Sequence, residues 1–283
     1  MSELGEGDSF GPYTVRERLG EGGMGHVFCA TEPGGSEVAL KVLRPELSTH
    51  EGFRARFERE AKMASKVRHP NIVPVLDRGE IDGSLYLTQA FIGGGSLEER
   101  LEREGRLSLE DTVRICDQVA AGLDAMHEAG LVHRDVKPPN IMLDTEGKAF
   151  IADLGLAKDR EASVILTRLG QAVGSIHYMS PEQIRAEREP DARTDVYGLG
   201  CVVYECISGS PPFAGRKPMQ VMWAHLRDEP ADPCAGRAEI PPDFGAAVNR
   251  ALAKEPEGRP QSASAYARAL RAAAGLAGSE VPS

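Results

Sequence analysis

The run His133-Arg134-Asp135-Val136-Lys137-Pro138-Pro139-Asn140 puts a carboxylate, an amine and an amide close together, between the apolar flanks Leu131-Val132 and Ile141-Met142-Leu143. Two prolines force an irregular loop there. A loop that concentrates polar groups inside apolar brackets points to chemistry rather than to surface decoration. Asp135 can act as a base, Lys137 as a cation and Asn140 as a neutral metal ligand. Shortly beyond, Ala149-Phe150-Ile151-Ala152-Asp153-Leu154-Gly155 brings a second carboxylate to the end of a strand, before a glycine that permits a sharp turn. Asp153 and Asn140 are oxygen donors of the kind hard Mg²⁺ prefers.

A second group lies near the N-terminus. Gly20-Glu21-Gly22-Gly23-Met24-Gly25-His26-Val27 follows the strand-like Tyr13 to Leu19 and leads into β-forming residues up to the turn Pro33-Gly34-Gly35. A dinucleotide-binding loop needs a helix after its glycines, so the pattern predicts a hairpin whose bare backbone can approach phosphate oxygens. In Glu37-Val38-Ala39-Leu40-Lys41-Val42-Leu43 the strand period of two puts Ala39 and Lys41 on one face. A helical wheel over 53–67 gathers Phe53, Phe57, Ala61, Ala64 and Val67 on one arc, and Glu60 falls inside it. A carboxylate aimed at the core needs a cation, and Lys41 is the candidate.

These groups need two different supports. Short alternating strands with one helix fill 13–92, and helical periodicity dominates 93–270. The join is Phe91-Ile92-Gly93-Gly94-Gly95-Ser96, where Ser96 can cap the helix Leu97 to Arg103, and a ligand site is expected at such a join. A further helix, with Val113, Ile115, Val119, Leu123 and Met126 on its apolar side, ends at Gly130 and delivers the chain to His133. Residues 1–12 read as a loose tail and 271–283 as a tail or linker. The chain has 283 residues with 41% hydrophobic and 27% charged, enough for one large or two modest cores. Its 43 acidic and 33 basic residues give a net charge of −10, which argues against a nucleic-acid partner. No stretch is apolar enough to span a membrane and the acidic start is unlike a secretory signal. The five cysteines form no Cys-x-x-Cys pair, so reduced core thiols and a cytoplasmic location are expected.

Taken together, the glycine-rich loop Gly20 to Val27, Val38-Ala39-Leu40-Lys41, Glu60, His133 to Asn140 and Asp153-Leu154-Gly155 resemble the eukaryotic-like protein kinases, in order, from about Tyr13 to Leu270. The style of Gly22-Gly23-Met24, His133-Arg134-Asp135-Val136-Lys137-Pro138 and Met179-Ser180-Pro181-Glu182-Gln183 resembles the bacterial serine/threonine kinases. The resemblance implies an α+β fold of two lobes, a small β-rich one with one key helix and a larger helical one. It implies Mg-ATP as phosphoryl donor, Mn²⁺ being an alternative metal, and Ser/Thr hydroxyls of proteins as acceptors. Carried over by residue, Lys41 held by Glu60 contacts the α- and β-phosphates, with Gly20, Gly22 and Gly25 above them. Asn140 and Asp153 hold the metal, Asp135 accepts the hydroxyl proton, and Lys137 neutralises the moving phosphoryl group. Val27, Ala39 and Met142 sandwich adenine, whose edge bonds the backbone near Ala90 and Ile92, with Gln89 at the gatekeeper position.

The same resemblance pairs Glu182 with Arg259 and makes Asp195 the buried helix-start aspartate that anchors the catalytic loop, a role a plain N-cap would share. Leu154 replaces the family's usual Phe, and Ser175 its commoner Thr. Arg134 before the catalytic aspartate implies an activation segment ordered by phosphate, with autophosphorylation at Thr167 first and Ser163 second, and Arg134 and Lys158 as partners. Related bacterial kinases dimerise back to back, but Pro12 and Gly35 stand where contact side chains would be expected, which argues against it here. Two rival classes are a catalytically silent kinase-like scaffold and a small-molecule phosphotransferase. The presence of Lys41, Glu60, Asp135, Asn140 and Asp153 opposes the first, and the segment Gly174 to Glu182 opposes the second.

Overall fold

The computed structural model describes residues 4–22, 24–153, 176–186 and 189–276. These fall into two compact units. One holds residues 4–68 and Ile72–Gly93, and the other holds His69–Asn71, 94–153 and the chain from 176 on.

The first unit is a six-stranded antiparallel sheet in the order β1-β2-β3-β4-β6-β5, formed by β1 (Ser9–Phe10), β2 (Tyr13–Gly22), β3 (Gly25–Thr31), β4 (Glu37–Leu43), β5 (Val75–Ile81) and β6 (Ser84–Ala90). Its register separates two faces. Phe28, Ala30, Val38, Leu40, Val42 and Tyr86 form one buried cluster with Phe10, Tyr13 and Val15. The alternate positions, Val27, Ala39, Lys41, Leu87 and Gln89, share the opposite face through the pairs Val27↔Lys41, Lys41↔Leu87 and Ala39↔Gln89.

The N-terminal segment departs from the loose tail expected over 1–12. Ser9–Phe10 pairs with β2, and Phe10 and Tyr13 pack edge-on against Tyr86 at ring separations of 5.8 and 5.6 Å. The Tyr13 and Tyr86 hydroxyls both donate to Asp77 Oδ2, at 2.7 and 2.8 Å. A two-residue strand leaves no periodic signal, and the aromatic partners are remote in sequence.

Among its described residues this unit also has two helices, α1 (Pro45–Ser48) and α2 (Glu51–Ala64). Phe53, Phe57, Ala61 and Ala64 are buried along α2 as the wheel requires. The helix stops at Ala64, with Ser65 as its cap, so Val67 lies beyond it.

In the second unit α3 (Leu97–Glu104) starts from a complete Ser96/Glu99 capping box. The glycines before it serve a close approach: a Cβ at Gly94 would sit 2.4 Å from the carbonyl oxygens of Leu143 and Asp144. Helix α4 (Leu109–Glu128) buries Val113, Ile115, Val119, Leu123 and Met126. It ends in a Schellman arrangement, with Leu131 N–H donating to Met126 O and Gly130 N–H to His127 O, both at 2.9 Å. The hairpin β7 (Ile141–Leu143) and β8 (Ala149–Ile151) follows. His69–Asn71 joins this unit because Asn71 Nδ2 donates to Ala149 O and Asn71 O accepts from Ile151 N–H, each at 2.8 Å.

Among the described residues five more α-helices follow: α5 (Pro181–Arg185), α6 (Ala192–Ser208), α7 (Pro218–Arg227), α8 (Pro242–Ala251) and α9 (Ala263–Ala273). Helix α6 is buried almost all round, as a central core helix must be. Helix α9 runs past Leu270, where the C-terminal tail was expected to begin in the sequence. All five cysteines are free and buried, and no helix of the described residues is long and apolar enough to cross a membrane.

Candidate active site

In the first unit the glycine-rich segment is a hairpin, with Gly20↔Val27, Glu21↔His26 and Gly22↔Gly25 in register. Gly25 is obligatory for the chain itself, because a Cβ there would lie 2.0 Å from Val42 O. Gly20 and Gly22 differ: a Cβ on either would meet nothing of the protein within 4 Å. Exposed charges fasten the hairpin. Arg18 bonds Glu21 and lies 2.9 Å from His26 Nδ1, and Arg44 donates to Glu21 Oε1 at 2.7 Å. Burial works against the Glu21 carboxylate, but Arg18 and Arg44 hold it below its ordinary range.

Lys41 sits on β4 beside Ala39, on the face away from the aromatic cluster, with Val27 and Gln89 as cross-strand neighbours. Gln89 is buried and its amide donates to Val73 O at 3.5 Å. Ala90 N–H donates to Pro74 O at 3.1 Å, and Ile92 follows at the half-buried end of the unit. Glu60 projects from α2 with its side chain 15% exposed, among the buried Phe57, Ala61 and Ala64. Arg59 Nη2 stands 3.9 Å from its Oε1.

The second unit gathers Asp135, Lys137, Asn140 and the approach to Asp153. Lys137 Nζ lies 3.2 Å from Asp135 Oδ2. Asn140, in the 3-10 turn Pro138–Asn140, donates its amide nitrogen to Asp135 O at 2.8 Å and to Asp135 Oδ2 at 3.1 Å. The Asn140 backbone carbonyl accepts Ala152 N–H at 2.8 Å, which brings the residue before Asp153 against it. The nitrogen is committed to Asp135, which leaves the Asn140 amide oxygen as the donor atom a metal could take. That oxygen and the Asp153 carboxylate are a hard-donor set that fits Mg²⁺ or Mn²⁺. Met142 lies on β7, bridged to Ser96.

The backbone is in an unusual state at two points of this group: Arg134 in the loop and Asp153 after β8 both have positive φ, +63° and +55°, in the left-handed region that residues other than glycine seldom occupy. Such strain persists only where neighbours fix it. Asp195, whose side chain is 0% exposed, accepts N–H of His133 at Oδ2 (2.8 Å) and of Arg134 at Oδ1 (2.7 Å). The Arg134 carbonyl accepts from Gln183 Nε2 at 2.9 Å, and His133 Nε2 lies 2.9 Å from Ala152 O. Asp195 thus anchors the loop, as the resemblance implied. It is not the helix cap, however: Asp191 caps α6, accepting Arg193 N–H at 2.8 Å, and Asp195 lies a turn inside.

Below the loop, Glu182 and Arg259 form a buried two-pronged pair, with Nη1–Oε1 and Nη2–Oε2 each 2.8 Å. Arg259 has further acceptors in the carbonyls of Ala253, Arg193 and Lys254, so all five of its N–H groups are bonded, and its guanidinium lies 4.8 Å above the Tyr197 ring. Although burial opposes the charge, Arg259 holds Glu182 below its ordinary range.

Residues 13–269 match the protein kinase domain family. The chain belongs to the protein kinase family. It is 42% identical over 259 residues to the serine/threonine-protein kinase PknE of Mycobacterium tuberculosis, covering 91% of this chain and 45% of that protein. It is 39% identical over 268 residues to PknH of the same species, covering 94% of this chain and 42% of that protein. The chain therefore spans less than half the length of these curated relatives. A crystal structure of the M. tuberculosis PknI kinase domain superposes with a TM-score of 0.77 at 31% identity, over 96% of this chain and 100% of that one. The architecture is accordingly the protein kinase fold, a β-sheet lobe and a helical lobe.

Several expected kinase positions, Gly23, Leu154, Gly155, Lys158, Ser163, Thr167, Gly174 and Ser175, lie outside the described residues. Within them, two supports of the catalytic loop left little trace in the sequence: Gln183, which bonds the Arg134 carbonyl, and His127, which bonds Asp195. Gln183 had a signal, as the third residue after the cap Ser180. His127 had none, since its partner Asp195 is 68 positions away.

Proposed function

We propose that the chain is a catalytically active serine/threonine protein kinase using Mg-ATP. The observation that carries this reading is the locked group Asp135–Lys137–Asn140, in which a carboxylate, an ammonium and an amide are fixed on a strained loop. The substrate hydroxyl oxygen attacks the γ-phosphorus while the bond from that phosphorus to the β,γ-bridging oxygen breaks, and ADP departs. Asp135 orients the hydroxyl and takes its proton; Lys137, 3.2 Å from Asp135, offsets charge on the moving phosphoryl group. Asn140 and Asp153 would hold Mg²⁺. Bound there, the metal supplies charge neutralisation on the phosphates. Lys41, set by Glu60, holds the α- and β-phosphates, and the bare backbone at Gly20 and Gly22 covers them. Val27, Ala39 and Met142 enclose adenine, with Gln89 behind it and the backbone of Ala90 and Ile92 at its edge.

The acceptors are Ser/Thr hydroxyls of proteins, the chain's own included, with Thr167 modified before Ser163. The buried free thiols support work in the reducing cytoplasm. The test is incubation of wild type, Asp135→Asn and Lys41→Met with Mg-ATP, reading phosphate incorporation by mass spectrometry. Incorporation in wild type alone is expected, starting at Thr167. Equal incorporation in all three overturns the assignment, and a rise in activity with Thr167 unmodified overturns the order of sites.

A further inference from the structure

Beneath the catalytic loop runs a series of charged groups that the transfer chemistry does not use. Asp195, which bonds the His133 and Arg134 amides, also lies 2.7 Å from His127 Nε2. The other ring nitrogen, Nδ1, is buried without a hydrogen-bond partner and faces Asp124 Oδ1 at 3.8 Å, an ion-pair separation. Asp124 makes its hydrogen bonds elsewhere: Oδ1 accepts Ala263 N–H and Oδ2 accepts Ser264 N–H, both at 3.0 Å. These are the first amides of α9, so one carboxylate caps that helix and faces the imidazole that supports Asp195.

The charged groups facing the ring are Asp124 from its own helix α4 and Asp195 from α6. A cation between two carboxylates satisfies all three. Burial opposes a charged imidazole, but the two carboxylates outweigh it and the His127 pKa is pushed up to about 9. Asp124, despite its own burial, is held at about 2 by His127 and the helix amides.

We propose that Asp124 is a positioning residue for phosphoryl transfer: by capping α9 and facing His127 it fixes that ring under Asp195, coupling the C-terminal helix to the strained backbone of the catalytic loop. The inference rests on the kinase reading above. Because Asp135 rides on this loop and the nucleotide is held largely by other residues, the coupling acts on kcat rather than on KM for ATP.

The test compares the full chain with Asp124→Asn and Ser262→Ala. Ser262 caps the same helix by accepting Ala265 N–H at 3.1 Å, and no contact joins it to His127 in the series above, so it reports helix capping alone. In Asp124→Asn the His127 midpoint, read by NMR, moves down by about one unit or more, which is a tenfold change in its protonation equilibrium. Amide exchange at His133 and Arg134 speeds up, and kcat falls about threefold further near pH 8.5 than near pH 6.5, with KM for ATP unmoved. Ser262→Ala lowers the melting temperature but keeps the wild-type midpoint, exchange and pH profile. An unmoved His127 midpoint in Asp124→Asn, or a Ser262→Ala protein with the same altered exchange and pH profile, overturns the proposal. A wild type that transfers no phosphate overturns the kinase reading instead, while midpoint and exchange still decide the coupling.

Discussion

Around Asp135 the backbone is held by buried groups, whereas around Gly20–Gly25 it is held by exposed ones. Asp195, Gln183 and Asn140 bond the catalytic loop through its peptide groups in a dry interior, and two residues there keep a left-handed conformation. The glycine-rich hairpin instead relies on Arg18, Glu21 and Arg44 at the surface, where ion pairs are weak and screened by salt. The difference teaches a division of labour. On the proposed function, the carboxylate that would take the proton is fixed before any ligand arrives, while the hairpin that would cover the phosphates is fastened only by surface pairs.

The sharpest way to break this contrast is at Asp135. Asp135→Asn keeps the Asn140 bond to the Asp135 backbone carbonyl while removing the proposed base and its ion pair to Lys137, so turnover should drop about a thousandfold with the melting temperature nearly unchanged. A comparable loss of stability would show that the carboxylate holds the loop together. Glu182→Ala strands the Arg259 cation in the interior and should cost about 3–5 kcal/mol in denaturant unfolding. The pH response should separate the regions further. His127 has a folded-state pKa near 9 against 6.5 when unperturbed, so its contribution is complete below about 6.5 and is lost as pH rises through about 9. Unfolding free energy should therefore fall over that window, by on the order of 3 kcal/mol, and a flat profile would remove the charged imidazole from the account.

Smaller effects belong to the hairpin. Gly25→Ala drives a Cβ into the Val42 carbonyl and should cost about 2 kcal/mol, whereas Gly22→Ala should leave stability unaltered and raise KM for ATP. Equal destabilisation by both would mean that the hairpin is as tightly packed as the loop. Glu21→Ala should leave the melting temperature where it is, at low salt and at high.

Much of this was readable in the sequence because it follows from periodicity. Lys41 and Ala39 share a face by the strand repeat, and Glu60 falls among Phe57, Ala61 and Ala64 by the helix repeat. The contacts that bring Asp135, Lys137 and Asn140 together are local, within six residues, so spacing alone places them near one another. What escaped is what tertiary folding assembles from afar. His127 is an ordinary polar residue near a helix end until α6 brings Asp195 beneath it. Asp124 reads as a solvated helix residue until α9 places two amides on it. Phe10 belongs to a strand too short to carry a pattern, and nothing in the run Gly93-Gly94-Gly95 marks position 94 as the one where the chain packs closely on Leu143 and Asp144.

Arg259 carries a consequence for natural variation. Its five N–H groups meet a carboxylate and three carbonyls, and a lysine could supply only three of those bonds from a single point. Position 259 should therefore tolerate no single exchange, and a change there should spread in related sequences only together with one at 182, leaving the two columns tied to each other however far the surface around them drifts.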